Sequence, residues 1–420
     1  MGFTSSRRQE RSLVMAGTMG HMLVDHHYAT AGTGVAVTQR SVAGLPAFDA
    51  AVGFAAESVA QTTMKVWRGE GALRDRVTAT WQSRLFRGTP NPGQDWFTFW
   101  YTTEASLTAR RNAYVWKTKD TNGQVVALTA LHPDQVDPTP QWGDGGRILY
   151  AVYFSTDYPK PPEVDGYGML TVDGSVVHHI RGRGGAGEII APSPIYEFAT
   201  SLGVALAKQE HESSLYRNGV QGGLLLAYPA AVTAEQARKW KDLFDAENAG
   251  VSNTAKTKVT GGGATVTQIG MSQVEAQFTE SVGLSLADVA RITNVPEWFL
   301  AAPDSRSKPI SPEHEMQRWM YLGLGPRLTR IESSLNADPD LFGAGPDYLA
   351  FDTADVVRGD LLTEANISIR KVQAGIWVPD EARSRDGFAP LAGGVGQIPQ
   401  ITPVGGVAND PLLAPDTGGG

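Results

Sequence analysis

The sequence predicts an α+β fold in which a strand-rich half comes first and a helix-rich half follows. From about residue 96 to residue 192 the residues follow the period of two that is typical of half-buried strands. From residue 193 onward, apolar residues recur at spacings of three and four, as on amphipathic helices. A small strand–helix–strand unit interrupts the helical half, so we predict two long helices that flank an insert.

Composition excludes several classes of protein. The 420 residues are 41% hydrophobic and 19% charged, which predicts a globular chain with two or three domains. We find no apolar run of about 18 residues and therefore predict no membrane span. The chain contains no cysteine, so it has neither disulfides nor thiolate metal ligands. Its net charge of −8 argues against a protein that coats nucleic acid, but not against one past which nucleic acid slides.

The two ends have compositions unlike the rest of the chain. Residues 1–40 begin with a basic segment, which we interpret as a flexible arm. A secretory or twin-arginine signal is the alternative, but Gly17, Gly20 and His21 interrupt its apolar part. Residues 388–420 are rich in Gly and Pro and nearly free of charge, so we expect them to be disordered.

Residues 41–192 are predicted to form the α+β domain. The segment 44–66 has an imperfect apolar helical face of Phe48, Val52, Phe54 and Val59. The stretch "NAYVWKTKDTNGQVVALTALHP" predicts a hairpin, because Asn-Gly between alternating runs is a strong turn signal. Further strands are predicted in "RILYAVYFS" and "GMLTVDGSVVHHI".

Two predicted helices, 193–218 and 272–298, flank the insert 219–271. Ser193 and Pro194 open the first helix, whose second half, 208–214, is polar on nearly all sides. A helix that loses its apolar stripe halfway along leaves a core and continues into solvent or a wet channel. The insert itself contains a strand in "GGLLLAYP", a helix capped by Thr233 and Gln236, and two strands around a triple-glycine turn.

The second flanking helix is predicted to start at a capping box of Ser272 and Glu275 and to stop at Pro296. Helices that flank an insert run antiparallel, so we expect a two-helix stalk with a cap at its far end. A polar loop, 299–311, follows. A new helix begins at Ser311 and Pro312, and we expect a kink in it at residues 323–326, where a proline follows two glycines.

Several short motifs occur in order over some three hundred residues. They are the Pro-Asn at 90–91, "NAY" at 112–114, "LHP" at 131–133, "VVHHI" at 176–180, "YRNG" at 216–219, "DVARITNVP" at 288–296, "RGD" at 358–360 and the segment from Gly375 to Arg383. Together they resemble the motifs of tailed-bacteriophage portal proteins of the siphophage type. Three positions depart from the family pattern. They are Arg111 in place of Gly, Val378 in place of Thr and Asp380 in place of Asn.

The resemblance implies a portal-type fold and a ring, usually of twelve subunits, at one vertex of the capsid. Residues 41–192 and the kinked helix 312–349 would form the wing, the two flanking helices the stem, and the insert the clip. The loop 299–311 would be the tunnel loop and 350–387 the crown. Implied partners are the terminase large subunit, head–tail adaptor proteins, major capsid and scaffolding proteins, and double-stranded DNA passing through the channel. The ring would be assembled in the host cytoplasm and carried in the virion.

Candidate site residues follow from these assignments. The tunnel loop would contact DNA through Ser305, Arg306, Ser307 and Lys308. The stem would line the channel with Glu210, Glu212, Glu275, Glu280 and Asp288. The clip would meet the motor or adaptor through Lys239, Lys241, Asp242, Asp245 and Glu247.

Two other classes of protein are the alternatives: a monomeric adaptor or scaffold, and a hydrolase with an unrecognised site. The cluster His21, Asp25, His26 and His27 has metal-ligating residue types but no partner motif, so we predict no metal and no cofactor. "RGRGGAGE" is glycine-rich, but no Lys-Ser or Lys-Thr follows it, so it is not a Walker phosphate loop. No Gly-x-Ser-x-Gly elbow and no His-Glu-x-x-His helix occurs. We therefore predict that the chain is not an enzyme.

Overall fold

The structure is a computed structural model. It describes residues 29–30, 34–69, 74–141, 147–156, 158, 160–217, 224–227, 233–239, 242, 265–268, 286–300, 312–343, 345–353, 361–385 and 388–399. The chain divides into two compact units, Met1–Asp352 and Thr353–Gly420.

The helices are α1 Gln39–Val42, α2 Pro46–Gln61, α3 Trp81–Arg87, α4 Trp96–Arg110, α5 Pro194–Glu197, α6 Ala199–Arg217, α7 Leu286–Thr293, α8 Glu297–Leu300, α9 Pro312–Arg318, the π-helical turn Trp319–Leu324, α10 Gly325–Asn336, α11 Leu361–Gln373 and α12 Pro379–Arg385. The strands are β1 Ala29–Thr30, β2 Ala36–Val37, β3 Thr63–Arg68, β4 Asp75–Val77, β5 Asn112–Lys119, β6 Val125–Leu131, β7 Val136–Gln141, β8 Arg147–Phe154, β9 Gly168–Asp173, β10 Val177–Arg181, β11 Leu224–Ala227, β12 Thr265–Gln268 and β13 Asp347–Asp352.

The strand-rich half is built from antiparallel sheets. One sheet has the order β10-β5-β6, a second β7-β8-β9 and a third β13-β3-β4. The predicted hairpin is confirmed as β5 and β6, and Gly123 supplies the left-handed turn conformation at φ +82°. "GMLTVDGSVVHHI" forms two strands that belong to different sheets, because β9 pairs with β8 and β10 pairs with β5.

The first two sheets share a core of aromatic and branched side chains. Its largest members are Tyr114, Trp116, Tyr150 and Phe154, all at most 5% exposed. Trp116 meets Phe154 edge-on with ring centroids 5.7 Å apart. A second core joins α1, α2, α4, α5 and the start of α6 around Phe48, Ile195 and Leu202. The third sheet packs against helices instead, since Trp100 of α4 meets Phe351 of β13 edge-on with ring centroids 6.0 Å apart.

Residues 96–110 were predicted to be strand-like and are instead the helix α4. The Asp95 carboxylate accepts a hydrogen bond from the backbone N–H of Thr98 at 2.6 Å and caps the helix. Phe99, Thr103 and Leu107, spaced by four, are buried on its inner face. The aromatic and threonine content suggested a strand, but the spacing of the buried residues is helical.

Two other helices differ from their predicted extents. The helix predicted over 44–66 ends at Gln61, and residues 63–68 form β3, which pairs with both β13 and β4. The helix predicted from Ser193 is interrupted at Phe198, between α5 and α6. Beyond that break, residues 209–213 are exposed, as the loss of the apolar stripe predicts.

The unit 353–420 contains α11, α12 and a short 3-10 turn at Ala392–Gln397. The Asp380 carboxylate at the start of α12 accepts a hydrogen bond from Leu391 N at 2.8 Å, and Arg383 Nε donates to Ala389 O at 2.9 Å. Residues 388–399, part of the segment predicted to be disordered, are therefore held against α12. Residues 400–420 lie outside the described residues.

Candidate functional site

The structure describes some of the predicted site residues and not others. Glu210 and Glu212 are exposed on the polar half of α6, and Asp288 lies on α7. Lys239 and Asp242 are exposed in the insert. The remaining candidates, and the histidine cluster at 21–27, lie outside the described residues: Glu275, Glu280, Ser305, Arg306, Ser307, Lys308, Lys241, Asp245 and Glu247.

Two of the described stem candidates, Glu212 and Asp288, lie beside cations of the same helix. On α6, Lys208 Nζ lies 3.9 Å from Glu212 Oε1, and on α7 Arg291 Nη1 lies 2.8 Å from Asp288 Oδ1. Both are exposed pairs within one helix, which contribute at most about 1 kcal/mol to stability. Glu210 and Glu212 are close in sequence and lie on a segment exposed all round.

The insert begins and ends at one point of the fold. β11 and β12 are antiparallel partners, with Leu224 opposite Gln268 and Ala227 opposite Thr265. Residues 228–264 therefore leave and return through a single two-stranded ladder. The predicted capping box is confirmed, because Thr233 N donates to Gln236 Oε1 at 3.1 Å and Gln236 N donates to Thr233 Oγ1 at 3.4 Å. The predicted strand before the triple glycine lies outside the described residues.

The second flanking helix was predicted to stop at Pro296, but it ends before that residue. α7 ends at Thr293, and Asn294 takes the left-handed conformation at φ +54° that commonly follows a helix. Pro296 instead precedes the short helix α8, where its fixed φ suits the first turn. The boundary is thus made by Asn294, which sequence reasoning missed.

An aromatic cluster anchors α8 and the π-helical turn to α2. Phe299 stacks on Phe54 with ring centroids 4.4 Å apart, and Phe54 lies 5.1 Å from Trp319. The two segments that border residues 301–311 in sequence are therefore fixed to the same helix.

The predicted irregularity near residues 323–326 is a π-helical turn, Trp319–Leu324. Gly323 is required there, because a Cβ at this position would fall within the ring of Trp319. Pro326 lies in the first turn of α10, directly after the π-helical turn. The irregularity that was predicted as a kink is thus a π-helical turn, in which one extra residue is inserted between α9 and α10.

Arg327 joins this turn to the end of α7 and to α4. Its Nε donates to Glu104 Oε1 at 2.9 Å, its Nη1 to Gly323 O at 2.8 Å and its Nη2 to Thr293 O at 2.6 Å. Its guanidinium carbon also lies 5.2 Å from the centroid of the Trp319 ring. Both side chains of the ion pair are buried, with 7% and 1% exposure. One cation thus satisfies a helix C-terminus, a π-turn carbonyl and a buried carboxylate.

The Glu104 carboxylate is buried at the centre of this junction. Burial raises its pKa, and the opposing effects of Arg327, Thr108 and Arg330 do not cancel the rise. Oε1 accepts from both Arg327 and Thr108, whereas Oε2 has no protein hydrogen-bond partner. The charge of Glu104 therefore depends on Arg327.

Motif residues near the sheet β10-β5-β6 act as polar connectors. The Asn112 amide donates to Arg110 O and Ala191 O and accepts from Ala191 N, at 2.7–3.0 Å. His179 Nε2 lies 3.1 Å from Asn112 Oδ1, and burial lowers the pKa of His179 to about 3. The Asn91 side chain donates to Leu128 O at 2.8 Å. These motif residues have a structural role, because each one closes a junction between elements.

A second buried network ties β5 and β10 to the segment after α10. Lys117 Nζ lies 2.8 Å from Asp338 Oδ2 and 2.7 Å from Asp340 Oδ2, and His178 Nδ1 lies 2.7 Å from Asp338 Oδ2. Burial opposes the ionisation of Asp338, but the hydrogen bonds from His178 and Lys117 outweigh it and lower the pKa to about 2. Asp338 is therefore a structural anion.

Within the part of the chain that the structure describes, no cluster of three or more His, Cys, Asp or Glu residues could hold a metal ion. In the loop "RGRGGAGE", the Glu188 carboxylate accepts from Gly185 N at 2.6 Å and so occupies a backbone N–H that a phosphate would need. Among the described residues, no helix is both long and apolar enough to cross a membrane.

The architecture is an α+β fold in which one buried ion pair joins α10 to α4 and another joins β5 to the segment after α10. Comparison with known proteins identifies the family: residues 46–387 match the family model described as "Phage portal protein". The chain belongs to the phage portal protein family, a family of structural proteins. Portal proteins lie at the portal vertex of the virion capsid.

Named relatives agree with this assignment. The chain is 25% identical over 382 residues to the "Probable portal protein" of Streptomyces phage phiC31, covering 88% of this chain and 80% of the relative. It is 22% identical over 317 residues to the "Portal protein" of Enterobacteria phage HK97, covering 74% and 70%.

Solved structures share the fold. An HK97-family phage portal protein from Corynebacterium diphtheriae matches with a TM-score of 0.52 at 17% identity, covering 77% of this chain and 98% of that one. A chain from the neck of an empty gene transfer agent particle, computed with C6 symmetry, matches with a TM-score of 0.56 at 20% identity, covering 84% and 93%.

Proposed function

We propose that the chain assembles with copies of itself into a closed ring of twelve subunits around a channel for double-stranded DNA. The match of residues 46–387 to the portal family carries this proposal. Further support comes from a matching chain in the neck of a native gene transfer agent particle, which was computed with C12 symmetry (TM-score 0.53, 18% identity). The genome would enter and leave the capsid through the axis of the ring.

A mass measurement tests the ring. Twelve chains of 44.9 kDa would give a particle of about 540 kDa with a central hole in negative-stain images. Because such rings can need other capsid components to assemble, the protein is purified both alone and after co-expression with its capsid and scaffolding proteins. A monomer under both conditions would contradict the ring and favour a monomeric adaptor.

Within the ring, we assign the stem to residues 193–218 and 272–298, and the clip to residues 219–271. The exposure of residues 209–213 of α6 supports a position in a wet channel, because a helix polar on all sides has no core to enter. Pairing of β11 with β12 supports a clip that protrudes from the stem. The clip would dock the terminase large subunit during packaging and the head–tail adaptor proteins afterwards.

The tunnel loop is proposed to contact DNA through Arg306 and Lys308. These are the only cations of residues 299–311, and Asp304 is the only acid, so each loop carries a charge of about +1. A few phosphate contacts would hold the DNA lightly while acidic side chains in the stem keep it mobile. The alternative is that both cations pair with nearby carboxylates, an arrangement that contributes about 0–1 kcal/mol.

Replacing Arg306 and Lys308 with Ser tests this contact. We expect rings to form normally, and particles to package or retain less DNA than wild type, measured by the genome length recovered from purified capsids. The matched control is Arg84→Ser with Arg87→Ser, which removes two exposed cations from α3, outside the loop and the stem. Full-length genomes in the loop variant would show that the loop is only a spacer.

A further inference from the structure

The turn between β5 and β6 carries one of the two Asn-Gly pairs of the chain. Asn122 and Gly123 are exposed together with their neighbours Thr121 and Gln124, so water reaches the turn. Asparagine is one of the thermolabile residues of proteins. The backbone nitrogen of the next residue can attack its side-chain amide, and glycine hinders this attack least because it has no Cβ. Asn122 therefore has the covalent setting in which an asparagine loses its amide.

Asp120 holds the atoms of this turn by four hydrogen bonds. Its Oδ1 accepts from Asn122 N and from Gln124 N, both at 2.9 Å. Its backbone carbonyl accepts from Gly123 N at 3.1 Å, and its own N–H donates to Gln124 O at 2.9 Å. The Gly123 nitrogen must lose its proton before it attacks, and that proton lies in one of these bonds. The nearby carboxylate also opposes the negative charge that the deprotonated nitrogen would carry.

We propose that Asn122 is a deamidation site and that Asp120 slows the reaction. The Gly123 nitrogen forms a bond to Cγ of Asn122, the bond from Cγ to Nδ2 breaks, and ammonia leaves with the proton of the Gly123 nitrogen. Water then opens the resulting five-membered imide at either carbonyl, which gives aspartate or isoaspartate in place of Asn122. Either product adds a negative charge beside Asp120.

Isoaspartate would lengthen the turn, because the backbone then runs through the former side chain and gains a carbon atom. The hairpin closes where Lys119 pairs with Val125, next to a shift in its register. Lys119 Nζ also lies 2.8 Å from Asp340 Oδ1, so we expect the change to loosen the hairpin as far as this ion pair. Portal proteins lie in the virion capsid, and a virion makes no new protein. Converted copies would therefore accumulate as the particle ages.

Peptide mapping by mass spectrometry during incubation at neutral pH measures the rate of conversion at Asn122. The reference is the free peptide with the sequence of residues 119–125, "KDTNGQV". We expect the folded protein to convert about tenfold more slowly than the peptide, the factor that one or two hydrogen bonds contribute. Asp120→Ala should bring the rate close to that of the peptide. Asp75→Ala, which removes an exposed acid from β4 instead, should leave the rate unchanged.

Asp120 lies at the tip of the hairpin and belongs to neither hydrophobic core, so its variants should keep the wild-type melting temperature. Asp120→Asn identifies the cause, since its amide oxygen can still accept from both N–H groups. A slow rate in this variant assigns the protection to the hydrogen bonds, and a fast rate assigns it to the charge; either result supports the inference. Equal rates in the folded wild type and the peptide overturn it, as does a folded Asp120→Ala that converts no faster than the wild type.

Discussion

Arg327 is the residue on which the junction of three helical segments depends. Its guanidinium group reaches Glu104 on α4, Thr293 at the end of α7 and Gly323 in the π-helical turn. A planar group with five donors suits this position, whereas lysine could not hold three directions at once. The "DVARITNVP" motif thus derives part of its geometry from an arginine more than thirty residues away.

Replacing Arg327 with Met should destabilise the protein by about 3–5 kcal/mol, because it leaves the carboxylate of Glu104 buried without its cation. The free energy of unfolding is measured with urea at neutral pH. As a matched control, Arg291→Met removes an exposed ion pair with Asp288 and should change stability by less than about 1 kcal/mol.

The pH dependence and a double variant separate the charge effect from lost packing. Burial raises the pKa of Glu104, and loss of Arg327 raises it further. Protonation then removes the buried charge, so the deficit of Arg327→Met should shrink as the pH falls. Adding Glu104→Gln to Arg327→Met should recover stability at neutral pH. A deficit that is independent of pH and of Glu104 would mean that only packing was lost.

Asp338 gives a second prediction at the scale of single residues, with the opposite dependence on pH. Its pKa is about 2 in the fold and about 3.9 in an unfolded chain. The ionised form therefore stabilises the fold above about pH 4, and this contribution is lost as the pH falls from about 4 to about 2. Asp338→Asn should cost about 1–3 kcal/mol at pH 7 and less at pH 2.5. Asp75→Asn, exposed on β4, should change stability little at either pH.

At the scale of elements, helices and strands with a regular apolar pattern could be predicted from the sequence, and those without one could not. The hairpin of β5 and β6 was found from Asn122-Gly123, and the polar end of α6 from its missing stripe. α4 was missed because its aromatic and threonine residues favour strands, whereas in the helix the hydroxyls of Thr102, Thr103 and Ser106 donate to carbonyls of the preceding turn. Glu104 and Thr293 could not be predicted as partners of Arg327, because they are distant in sequence.

Removing the insert tests the clip at this scale. Because Ala227 and Thr265 are paired, residues 228–264 can be replaced by a two-residue Asn-Gly turn without moving the ladder. We expect the wing to keep its melting temperature, since neither hydrophobic core contains an insert residue among the described residues. Binding of the terminase large subunit to the ring should be lost, measured by surface plasmon resonance. Cooperative unfolding of the whole protein on deletion would contradict an independent clip.

At the scale of the whole molecule, the candidate site depends on the proposed ring. A ring, a channel and a docking surface exist only when several chains are present, so periodicity within one chain cannot reveal them. The family motifs could be recognised from the sequence, and they led to the portal family that the comparison confirms. The roles of Glu210, Arg306 and Lys239 stay predictions, because they concern contacts that one chain does not contain.

The last prediction concerns the negative charge of the proposed channel wall. Twelve chains would carry twelve times the net charge of −8, and Glu210 and Glu212 lie exposed on the half of α6 assigned to the channel. Such a wall repels phosphate, so DNA would pass without condensing on the protein. We therefore expect purified rings to bind linear duplex DNA only weakly at about 150 mM salt, measured by fluorescence anisotropy.

Reversing the wall charge should strengthen that binding if α6 faces the DNA. Glu210→Lys with Glu212→Lys is expected to tighten binding and to steepen its decrease with salt, because each new phosphate contact adds about 0.9 to the slope of log K against log salt. Glu57→Lys, which changes an exposed carboxylate on the wing helix α2, should leave both quantities near their wild-type values. Tight and strongly salt-dependent binding by the wild-type ring would contradict an acidic, non-adhesive channel. Equal effects of the α6 and α2 variants would show that α6 does not line it.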